Sequence, residues 1–293
     1  AFGRRGRGPG EFAAILGLWL SADGHIGVWD GSSQRLSTFD KTGRLIDTHS
    51  VRQPSAMPGR LEIFLGVLRN GDVLLASLHM ARRPRPNEII PESWYLARFS
   101  RTGEFRSSLG QVSGMHRTHR TPLPFTPVPR FAVLGDSLWL AEGYVTALKL
   151  LGTQGQVVRT AELPWRSQPS SNQWSQLEAT LRERRKTFFL ELLEEIPRPD
   201  RVPSIGGVLM DDRGFLWVKE YDPSVDSIWI KQGNALEIGP GGLWRVLNPA
   251  GVWVARVRMP ANLIPLGIVG NRLLGMARDE LDVEHVVVHT IGR

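Results

Sequence analysis

Cysteine is absent from the 293 residues. A disulfide framework, a thiolate metal site and a cysteine nucleophile are therefore excluded, and the redox compartment stays open on that ground. Lysine is nearly absent as well: Lys41, Lys149, Lys186, Lys219 and Lys231 are the only ones, so a net charge of +7 is carried almost wholly by arginine. Together with 31 glycines, 20 prolines and 10 tryptophans, that bias is accounted for in part by a GC-rich genome. No clustered basic helix, zinc finger or aromatic RNA platform accompanies the charge, so the expected partner is an anionic protein or membrane surface and not nucleic acid. No apolar run approaches the roughly 18 to 20 residues that span a bilayer, and no signal-peptide pattern stands in the residues given. The chain opens at Ala1, inside a motif, which points to a removed leader or to further strands upstream.

What the sequence does contain is repetition. Leu36 and Phe39 precede Gly43 and Leu45; Leu96 and Phe99 precede Gly103 and Phe105; Leu148 and Leu151 precede Gly155 and Val157; Trp244 and Leu247 precede Gly251 and Trp253. In each case large apolar residues stand seven and four positions before a glycine and another stands two after it. The turns Asp40 to Gly43, Ser100 to Gly103, Gly152 to Gly155 and Asn248 to Gly251 are polar and end in glycine, as β-hairpin turns do. Between them lies a second element, a Gly/Asp/Asn turn feeding a strand that is apolar on both faces: Asp23 to Trp29, Asn70 to Leu75, Gly135 to Leu140, Asp212 to Val218 and Gly270 to Leu274. Such strands belong between neighbouring sheets. Alternation of the two elements predicts four-stranded units near residues 13–50, 61–112, 130–163, 205–258 and 262–291, the last without its closing strand. Radial repetition of four-stranded sheets is a β-propeller, so the fold class is all-β, a single propeller domain over residues 1–293. A strand from the opposite terminus closes many such rings, and residues near Ala1 to Arg4 are the expected donor.

The segment Gly3 to Phe12, GRRGRGPGEF, resembles the Gly-Arg/Lys-x-Gly-x-Gly-Pro-Gly-Glu-Phe segment of bacterial six-bladed β-propeller proteins related to NHL-repeat propellers. Pro203 followed by Asp211 to Val218 is similar to a late blade of that group, and Asp279 to Glu284 to its C-terminal end. The resemblance implies six blades where five are countable, and it places the glycine-rich segment after a first blade. The missing strands are then expected upstream of Ala1. Read from its residues, Gly6, Gly8 and Gly10 turn the chain sharply, Pro9 stiffens the turn, and Glu11-Phe12 leads into the next blade.

One stretch changes period. Trp174, Leu177, Leu181, Phe188 and Leu192 recur at spacings of three, four and seven, with Ser171 or Asn172 to cap and Pro197 to stop, predicting one inserted helix over about 172–196 within a 171–197 insertion. Phe189, Leu193 and Ile196 widen its apolar stripe, which either packs on the propeller or docks a partner. Two proline-rich basic stretches, His79 to Pro86 and His116 to Arg130, read as exposed semi-rigid loops, so Arg82, Arg83, Arg85, Arg117 and Arg120 join Phe188, Phe189 and Leu193 as candidate partner-binding residues.

No chemistry emerges clearly. His116 and His119 sit three apart among arginines and prolines; Glu284, His285 and His289 fall in a strand; Asp279, Glu280 and Asp282 resemble a polar turn. No Gly-x-Ser-x-Gly elbow and no phosphate-binding loop occurs. Gly239 to Gly242 reads as a hairpin loop, and the tryptophans as packing between blades. No residue is assigned as catalytic, cofactor-binding or metal-ligating, and no cofactor is expected. Two functions remain. One is a non-catalytic interaction module, an extrinsic subunit holding a larger membrane-associated complex of photosynthetic or respiratory type, extracytoplasmic or peripheral to the membrane, with the cytoplasm also compatible. The other is a hydrolase, lyase or small-ligand binder with its site at the channel mouth.

Overall fold

The computed structural model describes residues 3–6, 8–21, 23–86, 88–142, 144, 146–230, 237–281 and 283–292. Of the residues invoked above, Ala1, Phe2, Arg7, Lys231 and Asp282 lie outside the described set. Five sheets follow one another along the chain. Blade I holds β3 (Ile15–Leu20), β4 (Ile26–Asp30), β5 (Arg35–Phe39) and β6 (Leu45–Ser50), preceded by two short parallel strands, β1 (Arg4–Arg5) and β2 (Glu11–Phe12). Blade II holds β7 (Arg60–Val67), β8 (Val73–His79), β9 (Ile90–Phe99) and β10 (Phe105–Arg117), and blade III holds β11 (Arg130–Leu134), β12 (Ser137–Ala141), β13 (Ala147–Leu151) and β14 (Val157–Glu162). Blade IV holds β15 (Ile205–Met210), β16 (Leu216–Glu220), β17 (Gly242–Leu247) and β18 (Trp253–Met259), and blade V only β19 (Leu263–Val269), β20 (Arg272–Arg278) and β21 (Glu284–Thr290). Each blade is an antiparallel meander with its strands in chain order, as the repeat predicts.

The second strand of each blade shows why the blades stack. Along β8, Val73 and Leu75 enter the layer shared with blade I while Leu74 and Ala76 enter the layer shared with blade III. Along β12, Leu138 and Leu140 face blade II and Trp139 and Ala141 face blade IV. In β16, Leu216 and Val218 face blade III and Trp217 faces blade V. A period-two strand that is apolar at every position must be covered on both sides. Trp29, Trp94, Trp217 and Trp244 fill these layers, each at most 5% exposed. The first strands accordingly pack in series, β3 on β7, β7 on β11, β11 on β15 and β15 on β19, and no comparable packing joins β19 back to β3 among the described residues.

The hairpin turns carry a feature beyond their glycine. Three residues before it, a side-chain oxygen closes the turn: Asp40 accepts from the Thr42 and Arg44 amides, the Ser100 hydroxyl from Thr102 and Glu104, Asp211 from Arg213 and Phe215, and Asn248 from Val252. In these four turns short polar side chains that mimic a backbone turn fix the register, whereas the turn from Gly152 to Gly155 is closed by backbone bonds.

The opening segment is stapled by Glu11. Its carboxylate accepts from the Arg4 guanidinium at 2.6 Å and the Gly8 amide at 2.8 Å, while the Gly6 amide donates to the Phe12 carbonyl. A Cβ on Gly6 would lie 2.1 Å from the Glu11 carboxylate, so that glycine serves close approach. Phe12 then packs on Val28 and Phe39 of blade I. The expected closing strand is therefore corrected in part: Arg4 pairs with Glu11 and not with β21. The single inserted helix is also corrected, to α1 (Ser171–Glu183) and α2 (Thr187–Glu195), separated where Arg185 adopts a φ of 53° that an uninterrupted helix cannot hold. Arg117, expected in a loop, closes β10 opposite Ile90.

Gly24 and Gly155 share a φ of +81°, but only Gly155 is crowded, its Cβ position lying 2.3 Å from the Leu109 carbonyl oxygen of blade II. Gly24→Ala should cost about 1–2 kcal/mol for the left-handed backbone alone, and Gly155→Ala roughly 2–4 kcal/mol. Urea midpoints of the two variants check the difference, and equal values would remove the inter-blade contact as its cause.

Candidate functional site

An up-and-down blade sends its first-to-second and third-to-fourth turns to one end and its other connections to the opposite end. Here the first set is uniformly short: 21–25, 40–44, 68–72, 100–104, 135–136, 152–156, 211–215, 248–252 and 270–271. Every long connection falls in the second set, at 51–59, 80–89, 118–129, 163–204 and 221–241. The disc thus has one plain face and one elaborated face. Since loops on a rigid scaffold carry binding and catalysis, the elaborated face is the candidate site.

Over blades III and IV three of these connections merge into one unit. Trp174, Leu177 and Leu181 of α1 and Leu192 and Leu193 of α2 bury themselves against Phe125, Val202, Trp229 and Ile230. Polar contacts fix the arrangement: the Trp229 indole donates to the Pro122 carbonyl at 2.8 Å, the Ser227 hydroxyl to the Pro124 carbonyl at 2.9 Å, and the Lys186 ammonium to the Trp229 carbonyl at 3.1 Å. Tyr144 donates to the Phe125 carbonyl at 3.0 Å.

Beneath this unit lies a charge cluster. Lys219, next to last in β16 after the apolar Leu216, Trp217 and Val218, is fully buried, and its Nζ meets Asp226 Oδ1 at 2.7 Å and the carbonyls of Gly239 and Pro240 at 3.0 and 3.3 Å. Asp226 ends the short helix α3 (Pro223–Asp226) and also accepts from the Asp222 amide at 2.9 Å. Arg130, at the start of β11, is buried beside Asp226 and Tyr221; desolvation lowers its pKa, while burial and the Asp226 charge hold the Tyr221 phenol well above its ordinary value. A carboxylate flanked by two cations and one backbone amide, with the Lys219 ammonium held in turn by two backbone carbonyls, anchors the 221–241 connection to the blades. The sequence signal for it was one lysine within Leu-Trp-Val-Lys-Glu; its partner, seven residues on, gave none.

The candidate partner-binding residues separate into two groups. Arg82 pairs with Glu88, whose pKa that pair and the Arg85 amide lower to about 2. Arg117 meets Glu92 at 3.0 Å, and Arg120 grips Glu195 of α2 at 2.8 and 2.6 Å. Leu193 is buried in the protein's own core, and the Phe189 ring lies 5.0 Å from that of Trp229. These side chains are engaged internally. Phe188 is 52% exposed, with the Arg120 guanidinium 5.8 Å from its ring centre, and Arg83 and Arg85 are exposed.

The other candidates do not converge. His116 lies edge-on to Tyr144 at 6.2 Å and burial lowers its pKa, whereas His119 is exposed. His285 hydrogen-bonds Asp279 at 2.9 Å in blade V. Among the described residues no three His, Asp or Glu side chains come together as a metal cage. A groove of roughly 560 Å³ runs between α1 and α2, lined by Trp174, Glu178, Arg182, Glu194 and Arg198. Among the described residues no helix is long and apolar enough to cross a membrane, which leaves strand-built spans untouched.

No family model matches the chain, and no curated protein matches it. Solved structures do. A member of the DUF4221 family from Bacteroides vulgatus aligns at 12% identity over 97% of this chain and 81% of its own, with a TM-score of 0.52. A virginiamycin B lyase from Staphylococcus aureus aligns at 14% identity over 97% and 71%, with a TM-score of 0.41, and a gluconolactonase from Xanthomonas campestris at 14% over 89% and 68%, with a TM-score of 0.39. At these identities the likeness concerns the fold: this is a β-propeller with five four-stranded or nearly four-stranded blades in the described chain.

Two predictions follow from the charge cluster and its roof. Asp226→Ala strands a buried ammonium and should cost about 3–5 kcal/mol, whereas K219M/D226L, which removes that ammonium but leaves Arg130 without the carboxylate, should recover part of it; denaturant titration of the single and double variants decides. Tyr144 is pushed up to about 12, by desolvation first and by the Asp200 charge second. Its phenol holds its proton more tightly folded than unfolded, so that stabilisation is intact below about pH 10 and lost as pH rises toward 12. Thermal melts from pH 9 upward should show a shallower alkaline loss in Tyr144→Phe.

Proposed function

We propose that this protein is a non-catalytic interaction module, an extrinsic accessory subunit that helps hold a larger, membrane-associated protein complex together. The observation that carries the reading is Phe188. The helical insertion satisfies nearly all of its apolar surface internally, yet this large aromatic side chain stands out from α2 with a guanidinium beside it. An exposed aromatic with an adjacent arginine on a rigid, self-packed element is the composition of an interface anchor. Arg83 and Arg85 lie exposed in another connection of the same face, which adds a long-range attraction for an acidic subunit or an anionic membrane surface. Internal packing of Leu193 and Phe189 keeps the element rigid, so little ordering entropy is lost when a partner binds.

In this reading the protein works outside the cytoplasm or at the periphery of a membrane, with the cytoplasm also compatible, seated by loops and helix on subunits embedded there. A photo-reactive phenylalanine analogue at position 188, irradiated in source membranes, should give discrete heavier adducts containing a second polypeptide. Phe188→Asp should reduce recovery of that polypeptide with the purified chain by at least about tenfold while leaving the melting temperature unchanged. Absence of hetero-adducts, or recovery insensitive to the substitution, would sink the proposal.

A further inference from the structure

The plain face carries no long connection, yet the blades themselves enclose a cleft on it. Where blades III and IV meet, about 410 Å³ opens between the first-to-second turns of blades II, III and IV and the third-to-fourth turn of blade IV. Arginines from three blades line this space: Arg69 from the turn after β7, Arg159 from β14 and Arg213 from the turn after β15. Their placement is fixed by the fold. The Arg69 amide donates to the Gly135 carbonyl at 2.8 Å, joining the blade II turn to the blade III turn, and its guanidinium lies over Gly135, where a Cβ would stand 3.2 Å from Nη2. The Arg159 guanidinium crosses the seam and donates to the Pro249 carbonyl of blade IV at 2.8 Å. Arg213 lies over the Phe215 ring at 5.3 Å and meets the buried Asp211 at 3.3 Å.

The cleft differs electrostatically from the paired arginines elsewhere in the fold. Among the described residues Arg69 and Arg159 have no carboxylate within ion-pair distance, and Asp136, the one acidic side chain in the cleft wall, pairs with neither. Asp211, behind the wall, divides its charge among the Arg213 and Phe215 amides, the Trp217 indole and the Arg213 guanidinium. Three guanidinium groups therefore face two carboxylates, and the excess stands at Arg69 and Arg159. The floor is apolar: Leu150, Met210 and Trp139 line it, where the core layer between blades III and IV reaches the surface. An apolar floor with a few convergent polar groups, in a volume of roughly 300–1,000 Å³, is the form that small-molecule sites take.

We propose that this cleft binds a small organic phosphate, its phosphate held by Arg69 and Arg159 and its apolar body laid on Leu150, Met210 and Trp139. Two unpaired guanidinium forks present more donors than a single carboxylate accepts, whereas a phosphate monoester has three terminal oxygens and about two negative charges at neutral pH. The site lies on the face opposite Phe188 and is independent of the partner surface there.

Calorimetric titration of the full chain with phenyl phosphate, naphthyl phosphate, benzoate, inorganic phosphate and phenol tests it. One aryl phosphate should bind per chain with a dissociation constant below about 1 mM. Inorganic phosphate leaves the floor uncovered and should bind at least about tenfold more weakly; benzoate should also bind more weakly, and phenol not measurably. R69Q/R159Q should weaken aryl phosphate binding at least about tenfold in a chain that still melts cooperatively. Asp136→Asn removes the acid of the wall and should tighten binding about two- to threefold. Failure of both aryl phosphates to bind, affinity indifferent to R69Q/R159Q, inorganic phosphate bound as tightly as its aryl esters, or benzoate bound as tightly as phenyl phosphate each overturns the inference.

Discussion

A sheet that is apolar on both faces cannot end without leaving an uncovered face, and this structure is organised by that constraint. β8, β12 and β16 bury alternate residues in alternate layers, so each blade is stable only between two others. The first and last blades inherit the unfinished half of the rule. Leu18 and Leu20 of blade I and Leu266, Val269 and Val286 of blade V are large, apolar and exposed. The Gly3 to Phe12 segment covers part of the first face, where Phe12 lies on Phe39 with ring centres 5.7 Å apart. Its glycines are conformationally costly unless something holds them, and the Glu11 carboxylate is what holds them.

Electrostatics redraws the picture that composition gives. An excess of arginine suggests a broad basic surface, but much of it is consumed within the fold. Arg98 is paired with Asp72, Arg117 with Glu92, Arg120 with Glu195 and Arg245 with Glu220. Arg130 is buried outright. Pairs of this kind on the surface contribute about 0–1 kcal/mol each, so their main effect is to orient loops and to shrink the field available to a polyanion. The exposed Arg83 and Arg85 matter more for that reason.

The fold was legible because its information is local. A turn glycine, a polar residue three before it and apolar positions at fixed offsets act within a dozen residues, so the repeat predicted blade limits to within a few residues, except that β10 runs on to Arg117. The helical insertion was legible as a helix and not as two, since the break at Arg185 depends on Lys186 and Arg184 reaching the carbonyls of Trp229 and Ile230. The site was legible least. Phe188 and Leu193 carry the same apolar signal in sequence, and only packing against Trp229 and Phe125 decides which faces inward. The anchor at Lys219 and Asp226 draws acceptors from Gly239 and Pro240, some twenty residues away, where no periodicity connects them.

The same geometry separates two kinds of contact. The long connections all lie on one face and the opposite turns have two to five residues, so anything recognised through loops is recognised there. The rim is a different surface, built from outermost strands whose backbone is exposed by construction. Blades I to IV protect it with bulges and charge, at the expense of ladder regularity. In blade V the last strand described, β21, is a third strand, and it pairs with β20 as regularly as β5, β9, β13 and β17 pair with their second strands. The loop face and the rim draw on different residues, so a substitution in a connection leaves the ladders of the blades intact.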